Sequence, residues 1–310
     1  MILLNLRLSV MRDKIRILKT LTKLHVFGNR RENAFQSPLK KYSTLACRAC
    51  ILFPISMVAG IIIELIINFD KYLTKFHLDV HNITSITKAF YGSLLALYAI
   101  AFAIHYFVFP AMVMILLSFM YMLFVISFQR QLEATRFKLL RNFSKEEVSR
   151  TLIAFSEAKK IHRDLEETIS FKTFLAYILT FGSILQVVCF FTTDYLPDAK
   201  TLQILFSFTI IFWTIGWFVF LTMCGTQVEK IEVFVKDMRQ DVMSKNFGKN
   251  PDDAHNELAC LNLFNAFSAL ELRFTGWGMF EVDKKLFFTI SGILVTYGVL
   301  LATELTKMEK

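Results

Sequence analysis

Few side chains in this sequence combine the type and the spacing that chemistry requires. Cys47 and Cys50 form one C-x-x-C pair, and Cys189, Cys224 and Cys260 lie scattered through later segments. A thiol pair holds zinc when two further ligands follow at matching spacing, and none follows here. Five cysteines is an odd number, and three lie in or beside apolar runs, so no disulfide framework is implied. There is no Gly-rich phosphate loop, no H-E-x-x-H and no G-x-S-x-G. No enzyme activity, metal or cofactor is therefore expected. Two isolated groups are left. Glu64 interrupts an apolar run, and an ionisable group at membrane depth is a functional candidate by default. The alternative is a helix end at headgroup level, since Asp70 follows six residues later. His105 is the one histidine inside an apolar run, placed either to line a polar cavity or to bond a neighbouring helix.

The elements that carry these groups are set by where charge is missing. In 310 residues, 55% are of the AVILMFWYC set, 33 are Phe, and Gly and Pro total only 16. Residues 89–128, 173–193, 201–228 and 286–303 contain no Asp, Glu, Lys or Arg, and 51–69 contain only Glu64. A helix needs about 20 apolar residues to cross about 30 Å of hydrocarbon. The alternating ten-residue segments of a membrane barrel are absent from the pattern. The fold class is all-α: a polytopic helical membrane protein.

The 40-residue run is about 60 Å long as a single helix at 1.5 Å per residue. Pro110 stands near its middle, and proline suits a helix start and disfavours helix just before it. The run is read as 89–107 and 110–128 joined by a tight turn at Phe107–Pro110; one long kinked helix is the alternative. The organisation expected is a basic segment 1–48, three spans within 49–128 (49–69, 89–107, 110–128), a cytosolic helical loop 129–171, two spans within 172–224 (172–192, 202–224), a cytosolic helical region 225–284, a last span 285–303 and an extracellular tail 304–310.

Residues 129–171 carry nine Lys/Arg and 225–285 carry eight, while the short loop 193–201 carries one. The excess of positive charge places both long loops in the cytosol. Residues 1–48 hold eleven Lys/Arg against two Asp/Glu, and so should also be cytosolic. Counting back through three spans puts them outside. Either 89–128 crosses once, or a helix is missing before residue 49. The basic segment lacks the aromatic interleaving of a nucleic-acid arm, so no nucleic-acid partner is expected. Arg7 interrupts its apolar start, against a signal peptide, whereas its Arg-rich, acid-poor composition also resembles a mitochondrial transit peptide. Ile15, Leu18, Leu21 and Leu24 recur at helical spacing among Arg12, Arg16, Lys19 and Lys23, as in a helix lying on an anionic leaflet.

Val148, Leu152, Phe155, Leu165 and Ile169 recur at helical spacing in the first long loop. Val228, Ile231, Val235, Met238 and Val242 do so in the second. Both read as membrane helices continued into the cytosol with one apolar face each, to be buried against each other or against other subunits. No internal repeat of the kind that builds transporters is visible.

The C-terminal stretch resembles the insect gustatory receptor family, the seven-span chemoreceptors related to insect odorant receptors. The residues that carry it are Gly278-Met279-Phe280-Glu281-Val282-Asp283, then Leu286 and Ile290, then Thr296-Tyr297 followed by five mostly apolar residues. The family continues with Gln-Phe, where this chain has Thr303-Glu304. His105-Tyr106 with Pro110, and Phe69-Asp70-Lys71-Tyr72-Leu73, add to the likeness, which covers roughly residues 50–305. It implies an insect chemoreceptor-like channel subunit lacking the first span: a multi-pass plasma-membrane protein, forming homo- or hetero-tetramers and conducting cations when a small tastant binds. Under that mapping residues 70–88 are cytosolic and Asn82, in the sequon Asn82-Ile-Thr, carries no glycan; Asn142 lies in a cytosolic loop. The outer halves of four spans then hold a ligand pocket of His105, Tyr106, Gln186, Phe190, Gln203 and Phe206. The last span lines the pore with Tyr297, Leu300, Leu301, Thr303 and Glu304. Rings of Leu300 and Leu301 would gate by dewetting, and Glu304 would concentrate cations at the mouth.

Overall fold

The absence of charge from long runs produces helices, and helices make up nearly all of the described residues. The computed structural model describes residues 1–29, 36–67, 85–192, 200–246, 258, 261–263, 265–267, 270 and 272–308. Its helices are α1 (Ile2–Arg12), α2 (Lys14–Asn29), α3 (Gln36–Ile67), α4 (Ser85–Ala103), α5 (Phe109–Arg141), α6 (Lys145–Thr192), α7 (Lys200–Asn246) and α8 (Lys284–Met308). Two short strands, β1 (Thr275–Gly276) and β2 (Phe280–Glu281), form an antiparallel hairpin just before α8. Among the described residues, three helical stretches are long and apolar enough to cross a membrane: Ala89–Arg141, Lys145–Val187 and Ser207–Lys245. Thr44–Gly60 is a shorter apolar helix.

The tight turn expected at Phe107–Pro110 is not formed. α4 passes into a π-helical segment, Ile104–Val108, and this passes directly into α5. Proline has no N–H to donate, and its ring crowds the carbonyl four residues earlier. The π turn, capped by the Phe109 N–H on the Ile104 carbonyl, widens the backbone just ahead of that ring. The proline is thus absorbed as a bulge instead of breaking the helix. The unbroken stretch Ala89–Arg141 has 53 residues, about 80 Å of helix.

The chain divides into two units. One is Ala34–Leu116, where α3 packs on α4 and on the π segment. Cys50, Ala99, Ala103 and Phe107 are buried there. Pro54 sits inside α3. The other unit comprises Met1–Asn33 and Leu117–Lys310. Its core is a set of helical stripes: Tyr121, Phe124, Phe128, Leu132 and Leu139 on α5; Phe155, Ala158, Leu165 and Ile169 on α6; Leu221, Val228, Ile231, Val235, Met238 and Val242 on α7. The apolar faces read from the two long loops are therefore consumed within one subunit, chiefly by α6 packing on α7. Each such side chain withdrawn from water contributes about 1.5–3 kcal/mol. Polar ties hold the register of these helices: Tyr121 to Thr173 at 2.9 Å, Tyr177 to Thr222 at 2.8 Å, and the Arg136–Asp241 ion pair.

α1 and α2 pack along α6. Lys172 donates to Asp13 at 2.7 Å, Thr20 meets Thr168 at 3.2 Å, and Lys23 pairs with Asp164. As residue numbers rise on one side they fall on the other, so α2 runs antiparallel to α6. Ile17, Thr20, Leu24 and Phe27 are buried, whereas Ile15 and Leu18 are exposed. The helix pair thus buries one stripe against α6 and leaves Ile15 and Leu18, two of the residues read as facing a leaflet, exposed. Lys172, which has 3% of its side chain exposed, recruits Asp13 and the Thr168 carbonyl. This pairing holds the Asp13 carboxyl below its usual range and fixes the rotation of the helix pair.

Candidate functional site

The stretch with the greatest density of constrained residues is the base of α8. Glycine, an aromatic side chain and a capping acid each have a separate task there. Asp283 precedes the helix, and its Oδ1 accepts the Leu286 N–H at 2.7 Å, as an N-cap should. Ahead of it, Gly276, Trp277, Gly278 and Met279 form a tight turn closed by the Met279 N–H on the Gly276 carbonyl at 2.9 Å. Trp277 has φ 53° and Gly278 φ 69°. Two central residues at positive φ define the turn whose twist suits a hairpin. Glycine accepts this freely; tryptophan does not, at roughly 1 kcal/mol or more. Trp277 is held by its surroundings: its ring packs edge-on to Phe171 at 5.3 Å and lies 5.4 Å from Phe174. Its N–H is shared between the Ser170 hydroxyl at 2.7 Å and the Ser170 carbonyl at 3.2 Å.

Two further glycines permit close approach. A Cβ on Gly276 would stand 2.2 Å from the Phe280 ring, and one on Gly225 would stand 2.4 Å from Val282 Cγ1 and 2.8 Å from its carbonyl oxygen. α7 therefore touches the backbone that enters α8. The Phe287 ring, one turn into α8, stacks on Phe218 of α7 at 5.5 Å. The base of the last helix is pinned to α6 through the hairpin and to α7 through Gly225 and Phe218.

On α6 the side chains that face the hairpin are His162, Glu166 and Ser170, spaced one turn apart. Glu166 Oε2 accepts the Thr275 hydroxyl at 2.7 Å and the Thr275 N–H at 3.1 Å, while its Oε1 is shielded from solvent without a hydrogen-bond partner. Burial raises the Glu166 carboxyl from its ordinary value to about 7, against the pull of the two Thr275 bonds. Burial also lowers His162 to about 4, in spite of its bond to the backbone of Arg273. The imidazole is a neutral, stacked ring, 5.4 Å from Phe274 and 5.5 Å from Phe124. Arg273 and Glu281 pair across the hairpin.

Beyond the base, several described side chains of α8 are exposed. Phe288 (70% exposed), Tyr297 (55%) and Leu300 (52%) share the exposed surface with Thr289, Gly292, Ile293 and Thr296. Of the residues expected to line a pore, Tyr297 and Leu300 are exposed on α8; Leu301, Thr303 and Glu304 are helical in backbone, and their side chains lie outside the described residues. Of the expected pocket, His105 is half-buried and Tyr106 exposed, on the π segment. Tyr106 stacks on Phe102 at 4.5 Å and meets His105 edge-on at 5.1 Å. Gln186 is exposed on α6, in the other unit. The side chains of Phe190, Gln203 and Phe206 lie outside the described residues, as does that of Glu64; Asn82 falls outside them entirely. Among the described residues no group of three or more His, Cys, Asp or Glu is placed to hold a metal.

Reading the sequence alone does not find Glu166, Ser170, Thr275 or Gly225. Glu166 stands beside Glu167 in what reads as a solvated charge run. The available signal is its four-residue spacing from His162 and Ser170, next to the apolar pair Leu165 and Ile169.

No family model and no curated protein match this chain. Solved structures do. The insect olfactory receptor OR5 from Machilis hrabei in complex with eugenol superposes with a TM-score of 0.56 at 13% identity, over 96% of this chain and 70% of that one. A second structure of the same receptor gives a TM-score of 0.54 at 11% identity, over 97% of this chain and 77% of that one. The fold is that of an insect chemoreceptor-like helical membrane protein.

Proposed function

We propose that the chain is a gustatory-type chemosensory receptor, a subunit of a ligand-gated cation channel opened by a small-molecule tastant at the plasma membrane. The observation that carries the reading is the last helix: clamped at its base by two neighbours, and carrying exposed apolar and hydroxyl side chains such as Phe288, Thr289, Thr296 and Tyr297 above it. A helix of this kind needs other subunits or lipid to cover it, and in a tetramer its residues become rings around an axis. The likeness to an olfactory receptor fold supports the chemoreceptor role. The Thr296-Tyr297 motif supports the gustatory branch. Tyr297, Leu300, Leu301, Thr303 and Glu304 line the pore in this reading, and His105, Tyr106, Gln186, Phe190, Gln203 and Phe206 contribute to an outward-opening pocket. Recording cation currents from cells that display the chain at their surface, under a panel of small tastants, tests the proposal. Surface display without any evoked current, alone or with related subunits, overturns it.

The unbroken helix through Pro110 supports one crossing for residues 89–128. The basic N-terminal segment then lies in the cytosol with the other basic loops, and residues 70–88 face outward, opposite to the side implied by the family mapping. Asn82 becomes available for glycosylation. A mobility shift on glycosidase treatment, lost in Asn82→Gln, upholds this second reading against the family mapping, and its absence supports two crossings.

A further inference from the structure

We propose that the Glu166 carboxyl is a proton-controlled latch that sets how firmly the 275–281 hairpin, and with it the base of α8, is held to α6. The inference stands on the geometry of the hairpin and is independent of whether the chain conducts ions.

Beside the ring contacts of Trp277 and Phe280 with Phe171, Phe174 and Tyr177, the hairpin is held to α6 by a short set of polar bonds. Thr275 bonds Glu166 through its N–H and its hydroxyl, and Ser170 takes the Trp277 N–H and contacts the Thr275 carbonyl at 3.0 Å. Glu166 is the one ionisable group among these partners. Its second oxygen has no hydrogen-bond donor and is shielded from solvent, so the ionised form leaves one charged oxygen without a hydrogen bond. That arrangement is expensive unless the group is neutral or the site opens to water. The unpartnered oxygen makes the neutral acid the form that fits the docked hairpin.

Among the described residues no neighbouring charge compensates. On α6 itself the titratable neighbours are His162, kept neutral by burial, and Asp164, paired with Lys23 of α2. Arg163 and Glu167 stand on the exposed side of α6. From α5 comes Tyr121, whose hydroxyl bonds Thr173. From α1, Asp13 pairs with Lys172. From the hairpin, Arg273 pairs with Glu281, and Asp283 caps α8. The shift of Glu166 is accordingly caused by burial, opposed only by the Thr275 bonds.

The sign follows from linkage. The docked carboxyl is pushed up by burial to about 7, against its ordinary value of 4.5 when freed to water. Docking binds a proton between those values, so it is strongest below 4.5 and weakens as pH rises toward 7. Above 7 both states are ionised and the weakening stops. Within the window, the opening equilibrium changes by up to about tenfold per pH unit. Acidification of the cytosol from near neutrality tightens the base of the last helix.

The test is amide hydrogen exchange in the 272–282 segment of the full chain in lipid nanodiscs from pH 5.5 to 8, corrected for the intrinsic pH dependence of exchange. Protection in the wild type should fall by up to about tenfold per unit up to pH 7 and then level off. Glu166→Gln, a permanent neutral mimic, should stay at high protection throughout. Parallel profiles in the two proteins overturn the proposal. Should Glu166→Gln fail to accumulate, difference infrared spectroscopy of wild type with isotope-labelled Glu decides. A protonated-carboxyl band lost near pH 7 upholds the latch, and a spectrum without that transition removes it.

Discussion

The second half of α7 and the length of α8 above its base both carry apolar side chains, in opposite situations. Val228, Ile231, Val235, Met238 and Val242 of α7 are all buried by their own chain. Phe288, Tyr297 and Leu300 of α8 are exposed, although the same helix is fixed at its base by a capped, glycine-dependent hairpin. In water an apolar stripe must find a partner within the subunit, because burial is the main favourable term there. In a bilayer the tails are as apolar as leucine, and an open face remains available for another subunit or for movement. The contrast separates a scaffold from a helix that is free to act.

The sharpest way to break this comparison is to charge each side. Met238→Asp places an unpaired carboxylate in the α6–α7 core, and a loss above about 4 kcal/mol is expected. The protein should then disappear from the monodisperse peak in size-exclusion chromatography. Tyr297→Ala on the open face should keep the peak and change stability by no more than about 0.5 kcal/mol. Equal damage from the two changes would mean that α8 is internally packed after all.

Next in size is the hairpin. Gly276→Ala drives a methyl into the Phe280 ring, and overpacking of this kind costs about 1–3 kcal/mol. Exchange protection across 272–282 should fall while the α7 stripe stays protected. If protection falls everywhere, the base of α8 is part of the main core and the comparison fails.

Glu304→Lys should cut cation conductance and shift selectivity, and Glu304→Gln should do so more weakly, if the outer end of α8 is a pore mouth. Unchanged single-channel behaviour in both would leave Glu304 as a simple helix end. Tyr106→Ala or Gln186→Ala should move the tastant dose-response about fivefold, the equivalent of about 1 kcal/mol, with surface display unaffected. An effect of similar size is expected at the cap: Asp283→Ala removes one bond to the Leu286 N–H, about 1 kcal/mol, seen as fraying of the first turn of α8.

Periodicity carried the helical stripes well, because an amphipathic face is written in the types of residues one turn apart. Val228 to Val242 could be named in advance for that reason. On α2 the same spacing marks Ile15 and Leu18, which are exposed, and leaves unread Ile17, Thr20 and Phe27, which pack inward with Leu24. Polar ties to Thr168 and Asp164, and the pairing of Asp13 with Lys172, choose the rotation. Local reasoning failed at Pro110. There a local rule predicted a turn, and a widened π turn kept the helix intact.

By itself the sequence determined the class of the protein: uncharged runs of 18 to 40 residues can be stable only as membrane helices. It also determined which loops are basic, which cytosolic faces are apolar, and that the segment before the last helix is a distinctive motif. Tertiary structure alone decided what that motif is for. Gly276 and Gly225 matter because of Phe280 and Val282, and Glu166 matters because Thr275, 109 residues away, comes to rest on it. Such pairings depend on through-space proximity between distant parts of the chain. Local residue spacing reports which face is apolar and leaves open which partner covers it.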